Sequence, residues 1–442
     1  MVDNCIFLSQ KVRIMPNASQ RKIIDDLIAR ARFIHNFAIQ RFNDVIEKTG
    51  EILNSDNLRN YYLAHRNEYE FLKGTFSTLE NQVFKDIQKK IKINIYTLKK
   101  KKLNFKSVNN GGQSFYLSLK EFDIKEFPYK KHHYLQFDTL PSPIKIQNKM
   151  RFPTGIPLSV VIKKEYDKYY AGITFKLKHE DYINSLTYKV EDTNKAIGID
   201  LGAKQYITTS CGLNIECDRP LSKLLKREAF LNRSLNRKVH PLCKGDTTPK
   251  SKNYIKCSKK LGKLHRKIHN IRQDNLNKIS TLLVKNFGAI CMEDLEIQDL
   301  VKKRSFARLS QDLSFSELRH KIQYKGNFLG RTVIIADRFF PSSKRCVKCG
   351  HINNELKITD RIYRCEKCGF EIDRDFNAAC NLFKYMKNIT GWGTSKLTVD
   401  EINKLKADCE KYKIIHNFQP SVSNIKIPKT ISEPSVQLDF TA

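Results

Sequence analysis

No stretch of the 442-residue chain approaches the eighteen or more apolar residues that a membrane-spanning helix needs. The opening run MVDNCIFLSQKVRIMPN also lacks the apolar core and small-residue cleavage site of a signal peptide. A disulfide framework is missing as well. Eight of the twelve cysteines (Cys5, Cys211, Cys217, Cys243, Cys257, Cys291, Cys380 and Cys409) are scattered without framework spacing, as in a reducing compartment. These absences predict an intracellular protein that does not enter a membrane: cytoplasm or nucleoid in a prokaryote, nucleus in a eukaryotic or viral setting. Acidic residues are scarce, with 46 Asp and Glu against 80 Lys and Arg, a net charge of +34. That exceeds what solubility requires and predicts a polyanionic partner. From 391 onward seven basic residues face six acidic ones, so the first 390 residues hold +33 of the total, and the charge belongs to the folded body. A chain this long exceeds one core and predicts two to four domains.

What is present falls into blocks. Residues 1–16 alternate apolar and polar (Ile6, Leu8, Val12, Ile14) and predict one strand or two, stopped by Pro16. Asn17 with Gln20 resembles a capping box, and Ile23, Ile24, Leu27, Ile28, Ala31, Ile34, Phe37, Ala38, Phe42 and Val45 share one helical face. Helices continue over 55–72 and from about Ser77, which makes 17–103 a helical block ending in Lys99, Lys100, Lys101 and Lys102. That cluster is either a solvated helix end or a set of phosphate contacts. Over 104–193 the texture turns to strands, including a hairpin of 159–164 and 169–177 about Asp167 and Lys168. The first strand lacks an earlier partner and is expected to join this sheet, so the helical block is read as an insertion in a small β-barrel. Its aromatics alternating with Lys suit base stacking beside phosphate contacts, although most belong to the core.

From Lys195 a third block begins. A meander of three short strands (196–202, 205–210, 213–217) precedes two basic helices, about 220–239 and 252–287. A strand over 288–295, a helix over 313–326 and a strand over 331–339 follow. His265 and His269 lie one helical turn apart, but no HExxH carboxylate lies between them, and they read as two basic positions on a helix facing nucleic acid.

Two features carry chemistry. Cys346, Cys349, Cys365 and Cys368 form two CxxC pairs separated by fifteen residues, each pair followed by glycine (Gly350, Gly369). This is the spacing of a zinc ribbon, with four thiolates around one structural Zn²⁺. The second feature is a set of carboxylates. Asp200 lies in a buried-looking strand between Ile199 and Leu201, where a charge is costly without a cation or partner. The glycines on either side let something bulky approach the backbone. Glu293 ends an apolar strand, and Asp375 stands at a helix start, where it could be an N-cap. Singly each has a structural explanation. Together, Asp, Glu and Asp from two strands and a helix start could hold two Mg²⁺ about 4 Å apart and hydrolyse a nucleic-acid backbone.

In order, GIDLG, MEDL, the CxxC pairs and DRDFNAACN resemble the split RuvC-like nuclease domain of the transposon-encoded TnpB family, relatives of the compact Cas12 effectors. The opening PNASQRKIIDDLIARARFIHNFAI, RQDNLNKIS at 272–280 and FPSSKRCVKCG at 340–350 resemble that family too, so the resemblance runs from 5 to about 388. It implies a multidomain α/β protein with an RNase H-like (RuvC) core carrying an inserted zinc ribbon, plus an N-terminal β-barrel wedge domain interrupted by a helical recognition lobe. The implied boundaries are wedge 1–16 and 104–193, recognition lobe 17–103, nuclease 194–343 and 372–390, ribbon 344–371, and a tail 391–442 of one amphipathic helix followed by disorder.

By matched position Asp200, Glu293 and Asp375 become catalytic Mg²⁺ ligands. Asp373 does not, because the family spacing is Asp, any residue, Asn. Asn277 stands where the family commonly has histidine. Arg272, in RQDNLNKIS, is a candidate nucleic-acid contact alongside Lys99 to Lys102. The implied activity is RNA-guided cleavage of double-stranded DNA, with a guide RNA from the element's own end, one protein per RNA, and a short target-adjacent motif. Alternatives are a compact type V CRISPR effector with the same chemistry, an RNA-guided DNA-binding regulator of transposition, and a transposase that strand-transfers DNA itself. All three acids are retained, which favours cleavage over regulation. The ribbon inside the nuclease block and the lack of a dimerising module disfavour the transposase.

Overall fold

The computed structural model describes residues 5–96, 102–108, 113–126, 133–147, 150–152, 154–188, 190, 193–203, 205–216, 219–241, 243, 246, 248–294, 312–357, 359–391 and 393–418. Among them no helix is long and apolar enough to cross a membrane. The chain divides into two compact units, Met1–Thr187 and Tyr188–Ala442.

The first unit holds strands β1 (Cys5–Met15), β2 (Ser114–Ser118), β3 (Phe122–Glu126), β4 (His133–Phe137), β5 (Ile144–Ile146), β6 (Ile156–Glu165) and β7 (Lys168–Lys178). Its helices are α1 (Ala18–Thr49), α2 (Ser55–His65), α3 (Ser77–Tyr96) and α4 (His179–Asn184). The strands form one antiparallel sheet in the order β2-β6-β7-β1-β5-β4-β3. The end strands β2 and β3 are joined by the single 3-10 turn Leu119–Glu121, so the two ends of the sheet lie a turn apart and the sheet nearly closes. β1 is one continuous strand, and it pairs with β7 from Cys5↔Lys178 to Ile14↔Tyr169. The hairpin turn lies at Tyr166 and Asp167, one residue earlier than the sequence pattern placed it, because Lys168 already pairs with Glu165. Alternation along β7 buries Tyr169, Ala171, Ile173, Phe175 and Leu177, each large side chain contributing about 1.5–3 kcal/mol.

Helix α1 begins as the sequence indicates. Asn17 Oδ1 accepts from the Gln20 amide at 2.9 Å, and Gln20 Oε1 accepts from the Asn17 amide at 2.8 Å. Its apolar stripe of Ile24, Leu27, Ile28, Ala31, Ile34, Ala38 and Phe42 is buried, and Gly50 ends it in the left-handed conformation. Asp25 fastens α1 to the sheet by accepting from Lys164 Nζ at 2.6 Å and Tyr169 OH at 2.9 Å.

The second unit holds β8 (Ala196–Leu201), β9 (Ile207–Thr209), β10 (Leu213–Ile215), β11 (Ala289–Met292), β12 (Thr332–Ile335), β13 (Ile362–Arg364), β14 (Glu371–Asp373) and β15 (His416–Phe418). Its helices are α5 (Pro220–Asn236), α6 (Lys252–Asn286), α7 (Phe315–Phe328), α8 (Arg374–Thr390) and α9 (Val399–Tyr412). The main sheet runs β12-β11-β8-β9-β10-β15. β8, β11 and β12 are parallel, while β8, β9 and β10 form the antiparallel meander. The continuous burial of β8 and β11 is that of parallel strands covered on both faces.

Helix α8 lies across β8 at Gly198. A Cβ there would come within 2.0 Å of the Ala379 carbonyl oxygen and 2.4 Å of the Phe383 amide nitrogen. The close approach that the glycines flanking Asp200 permit is thus made, at Gly198, by a helix backbone.

The segment after 391 differs from a helix followed by disorder. Helix α9 is present, with a capping box at Thr398 and Glu401. The chain then continues as β15, pairing Leu213↔Phe418 to Ile215↔His416, because β10 offers an open edge. Asp408 on α9 accepts from Lys285 Nζ at 2.8 Å, which binds the helix to α6. Residues 419–442 lie outside the described residues.

Candidate metal centre

Parallel pairing of β8 and β11 puts Ile199 beside Met292, so the next residues, Asp200 and Glu293, emerge side by side at the carboxyl ends of the two strands. Asp375 is the second residue of α8, the helix that crosses β8 at Gly198. The N-cap role falls to Asp373, whose side chain accepts from the amides of Asp375 and Phe376 at 3.0 and 2.9 Å. The Asp375 carboxylate is therefore not engaged in capping. All three acids are half-buried, so an ion can reach them from solvent.

Their electrostatics show that they face one another. Burial pushes the Asp200 carboxyl well above its usual range, and the charges of Glu293 and Asp375 push it further. Glu293 is pushed up to about 7 by burial and by Asp375, against the backbone amide of Leu201 and the charge of Arg374. Asp375 is held by Arg374, whose Nη2 donates at 3.0 Å, with Arg361 Nη1 at 3.6 Å on its other oxygen. Neighbouring Asp294 turns the other way, to Arg319 and Arg338. Convergent carboxylates, two of which burial and their acidic neighbours hold toward the protonated form, suit hard divalent cations, which take oxygen ligands.

The four cysteines are brought together, their sulfurs within 4.8 Å of one another, with Cys346 to Cys368 at 3.8 Å and Cys349 to Cys365 at 3.5 Å. Among the described residues this is the one group of three or more metal-ligating side chains drawn that tight. Each pair sits in the same turn: the Gly350 amide donates to Cys346 O and the Gly369 amide to Cys365 O, both at 2.9 Å, with φ of 77° and 64°. Four convergent sulfurs fit the tetrahedral thiolate shell of zinc.

The link between cysteine cluster and carboxylates lies in residues that spacing alone did not single out. Asn377, Asn381 and Lys384 form a stripe on α8 at one-turn spacing. Asn377 Nδ2 donates to Arg345 O at 2.8 Å while its Oδ1 accepts from the Val347 amide at 3.1 Å. Asn381 Nδ2 donates to Ser342 O at 2.8 Å, and Lys384 Nζ to Val347 O at 2.8 Å. The first cysteine turn is thereby bolted along the helix that carries Asp375. The only sequence signal was polar residues on an apolar helix.

The remaining candidates fare differently. Lys99, Lys100 and Lys101 lie outside the described residues, and Lys102 pairs with Glu47 at 2.8 Å on the surface. Arg272 turns inward to Asp312 at 3.4 Å, a fully buried acid that also accepts from the Leu221 and Ser222 amides at the start of α5. His265 meets Glu228 at 3.3 Å, and Asn277 Oδ1 accepts from Lys321 Nζ at 2.9 Å.

Comparison with known proteins follows the same two regions. A family model described as "Probable transposase" matches residues 174–304, and one described as "Cas12f1-like, TNB domain" matches 315–382. The chain is 36% identical over 190 residues to a protein of Streptomyces pristinaespiralis provisionally named an RNA-guided DNA endonuclease; the match covers 43% of this chain and 45% of that protein. It is 25% identical over 396 residues, 84% of this chain and 90% of the other, to InsQ of Escherichia coli K12, which carries the same provisional name. A solved Cas12f1–sgRNA–target DNA complex contains a chain of similar fold, at a TM-score of 0.53 and 14% identity, covering 86% of this chain and 99% of that one. These matches make the chain similar to transposon-encoded and Cas12f1 proteins. It is also 24% identical over 400 residues, 85% of this chain and 72% of the other, to a TnpB-like protein of Acanthamoeba polyphaga mimivirus, which bears out the resemblance to the TnpB family.

Proposed function

We propose that the protein is an RNA-guided DNA endonuclease of transposon origin, hydrolysing DNA phosphodiesters at a site built from Asp200, Glu293 and Asp375. The observation that carries this reading is the convergence of those three acids from β8, β11 and the first turn of α8, where Asp375 raises the proton affinity of Asp200 and Glu293, and Glu293 that of Asp200. The names of the relatives support a guide RNA and a DNA target, and the family resemblance implies that the target is double-stranded and bears a short adjacent motif. The mixed sheet β12-β11-β8-β9-β10-β15 is read as the RNase H-like (RuvC) core over 194–343 and 372–390, with the ribbon at 344–371 inserted. The near-closed sheet of the first unit is read as the wedge over 1–16 and 104–193, interrupted by a recognition lobe at 17–103.

Asp200, Glu293 and Asp375 would hold two Mg²⁺, and Cys346, Cys349, Cys365 and Cys368 one structural Zn²⁺. Bound there, Mg²⁺ supplies charge for the attacking and leaving oxygens of an in-line displacement. The chain's own residues do the rest. Leu201's amide orients the Glu293 carboxylate, and Gly198 lets α8 approach closely enough to bring Asp375 beside it. Arg374 and Arg361 place positive charge next to Asp375, on the path a DNA backbone must take.

The test uses the chain loaded with the RNA that copurifies with it. An Asp200→Ala, Glu293→Ala double variant is expected to bind guide-matched DNA as the parent does and to leave it uncut in Mg²⁺. Cutting at the parental rate overturns the assignment. The likeness to Cas12f1 favours one second reading, a compact CRISPR effector with the same chemistry. Sequencing the copurified RNA separates the two, since a transposon-end transcript and a repeat-spacer transcript differ in kind.

A further inference from the structure

Between α1 and α3 the first unit gathers three basic side chains. His35 on α1 is fully buried, and Lys90 Nζ on α3 donates to its Nε2 at 2.8 Å. The imidazole is therefore neutral with its proton on Nδ1, which faces Asn36 Oδ1 at 3.2 Å. Asn36 in turn grips the backbone of Lys106 from both sides: its Oδ1 accepts from the Lys106 amide at 2.8 Å and its Nδ2 donates to the Lys106 carbonyl at 2.9 Å. Two helical turns further, Asn43 repeats the clamp on Leu103, at 2.8 and 3.0 Å. Residues 103–106 are thus strapped to α1, and the Lys106 charge acts on both His35 and Lys90.

The outcome is a half-buried pair of cations fixed by a relay of hydrogen bonds. Burial and mutual repulsion push the Lys90 ammonium down, burial pushes the Lys106 ammonium down, and both together with burial push His35 to about 3. The carboxylate that offsets them is Asp86, one turn before Lys90, which is itself engaged by Gln82 Nε2 at 2.8 Å. Among the described residues Lys106 Nζ makes no hydrogen bond or ion pair. Three pieces of chain converge on the two cations, and the Lys106 ammonium keeps its donors free. A tetrahedral dianion or a backbone phosphate, with several acceptor oxygens, satisfies those donors and removes the repulsion.

We propose that Lys90 and Lys106, set by the His35–Asn36 relay, form a phosphate-binding site that takes one backbone phosphate of the guide RNA. RNA is favoured over a free anion because the unit is strongly basic around the site and the two donors remain partly exposed, as a chain-borne phosphate needs. The inference rests on the reading of the protein as RNA-guided, and it names a place where that RNA is held.

The test is equilibrium binding of the copurified RNA, refolded and labelled, to the full chain across a salt series. Lys90→Gln and Lys106→Gln are compared with the parent, with Lys411→Gln, at an exposed position of α9, as a surface control. The double variant is expected to bind about tenfold more weakly near physiological salt and to lose about one unit of the log–log salt slope. Its thermal midpoint, in the absence of RNA, should stay level or rise because a repulsion is gone. Parental affinity and slope in a double variant that is folded overturn the proposal and leave the cluster a structural feature. Inorganic phosphate supplies the other arm. If millimolar phosphate stabilises the parent but not the double variant, relative to chloride at equal ionic strength, while RNA binding is unchanged, the site takes a free anion and the RNA assignment falls. A parent chain that binds no RNA at all overturns the RNA-guided reading itself, and this inference with it.

Discussion

Each unit holds a half-buried cluster of like charges, cationic in the first and anionic in the second. In the first, two cations and a neutral histidine are held between helices by asparagine clamps, and burial drives all three toward losing protons. In the second, Asp200 and Glu293 end adjacent parallel strands, and burial drives them toward gaining protons. Neither arrangement is what a folding problem alone would select, since each is more stable with its charges removed or paired. On the readings proposed above, each would be paired by an ion of the opposite sign: phosphate in one unit, divalent metal in the other.

The largest effect that would sharpen this contrast is expected from the ribbon. Replacing Cys365 and Cys368 by serine removes two of four thiolates and releases the turn that Asn377 and Asn381 hold, so Asp375 loses its support. Cleavage should vanish while RNA affinity, which the proposed phosphate site places in the first unit, changes less than about threefold. Equal loss of both, measured in parallel cleavage and binding assays, would mean that the ribbon supports the whole protein.

Next comes Gly198→Ala, whose Cβ meets backbone at 2.0 Å. It should destabilise the second unit by about 3 kcal/mol or more, seen as a lowered denaturant midpoint of one transition while the first unit's is unmoved.

Opposite slopes with pH give a third comparison. Glu293, raised to about 7, binds its proton more tightly folded than unfolded, so metal-free stability is greatest below pH 4.5 and falls as pH rises toward 7, by about 3 kcal/mol. Mg²⁺ should reverse the fall, and Glu293→Gln should flatten it. His35, lowered to about 3, works the other way: its contribution is whole above pH 6.5 and declines below it, by about 2 kcal/mol at pH 5. Chemical denaturation at stepped pH reads both, and slopes of the same sign in the two units would break the contrast. The smallest effect is Lys102→Ala, which removes an exposed pair with Glu47 and should change stability by less than about 0.5 kcal/mol.

Local patterns were legible in the sequence where the deciding interactions are themselves local. The capping box of α1, its apolar stripe and the two cysteine turns each depend on residues within a few positions, and each stands where the pattern put it. What the pattern missed depends on partners distant along the chain. Asn381 meets Ser342 39 residues away and Asn36 meets Lys106 70 residues away, so their polar side chains on apolar helices carried no readable partner. The cap of α8 moved from Asp375 to Asp373 because both are acids at a helix start, and only backbone geometry chooses between them. β15 escaped notice for a related reason: three residues, His416 to Phe418, have no pattern of their own and become a strand only because β10 leaves an edge open.

The bolting of the cysteine turn to α8 also sets an order in time. Asp200 and Glu293 leave the ribosome well before Asp375, and the helix bearing Asp375 follows directly on the segment that must collect four sulfurs. A chain interrupted anywhere before that point carries an incomplete set of acids, and one completed without metal carries an unsupported third. On the proposed function, the capacity to cut DNA would arrive only with Asp375 and depend on metal supply, so fragments and unmetallated copies would be harmless to the genome of the cell that makes them.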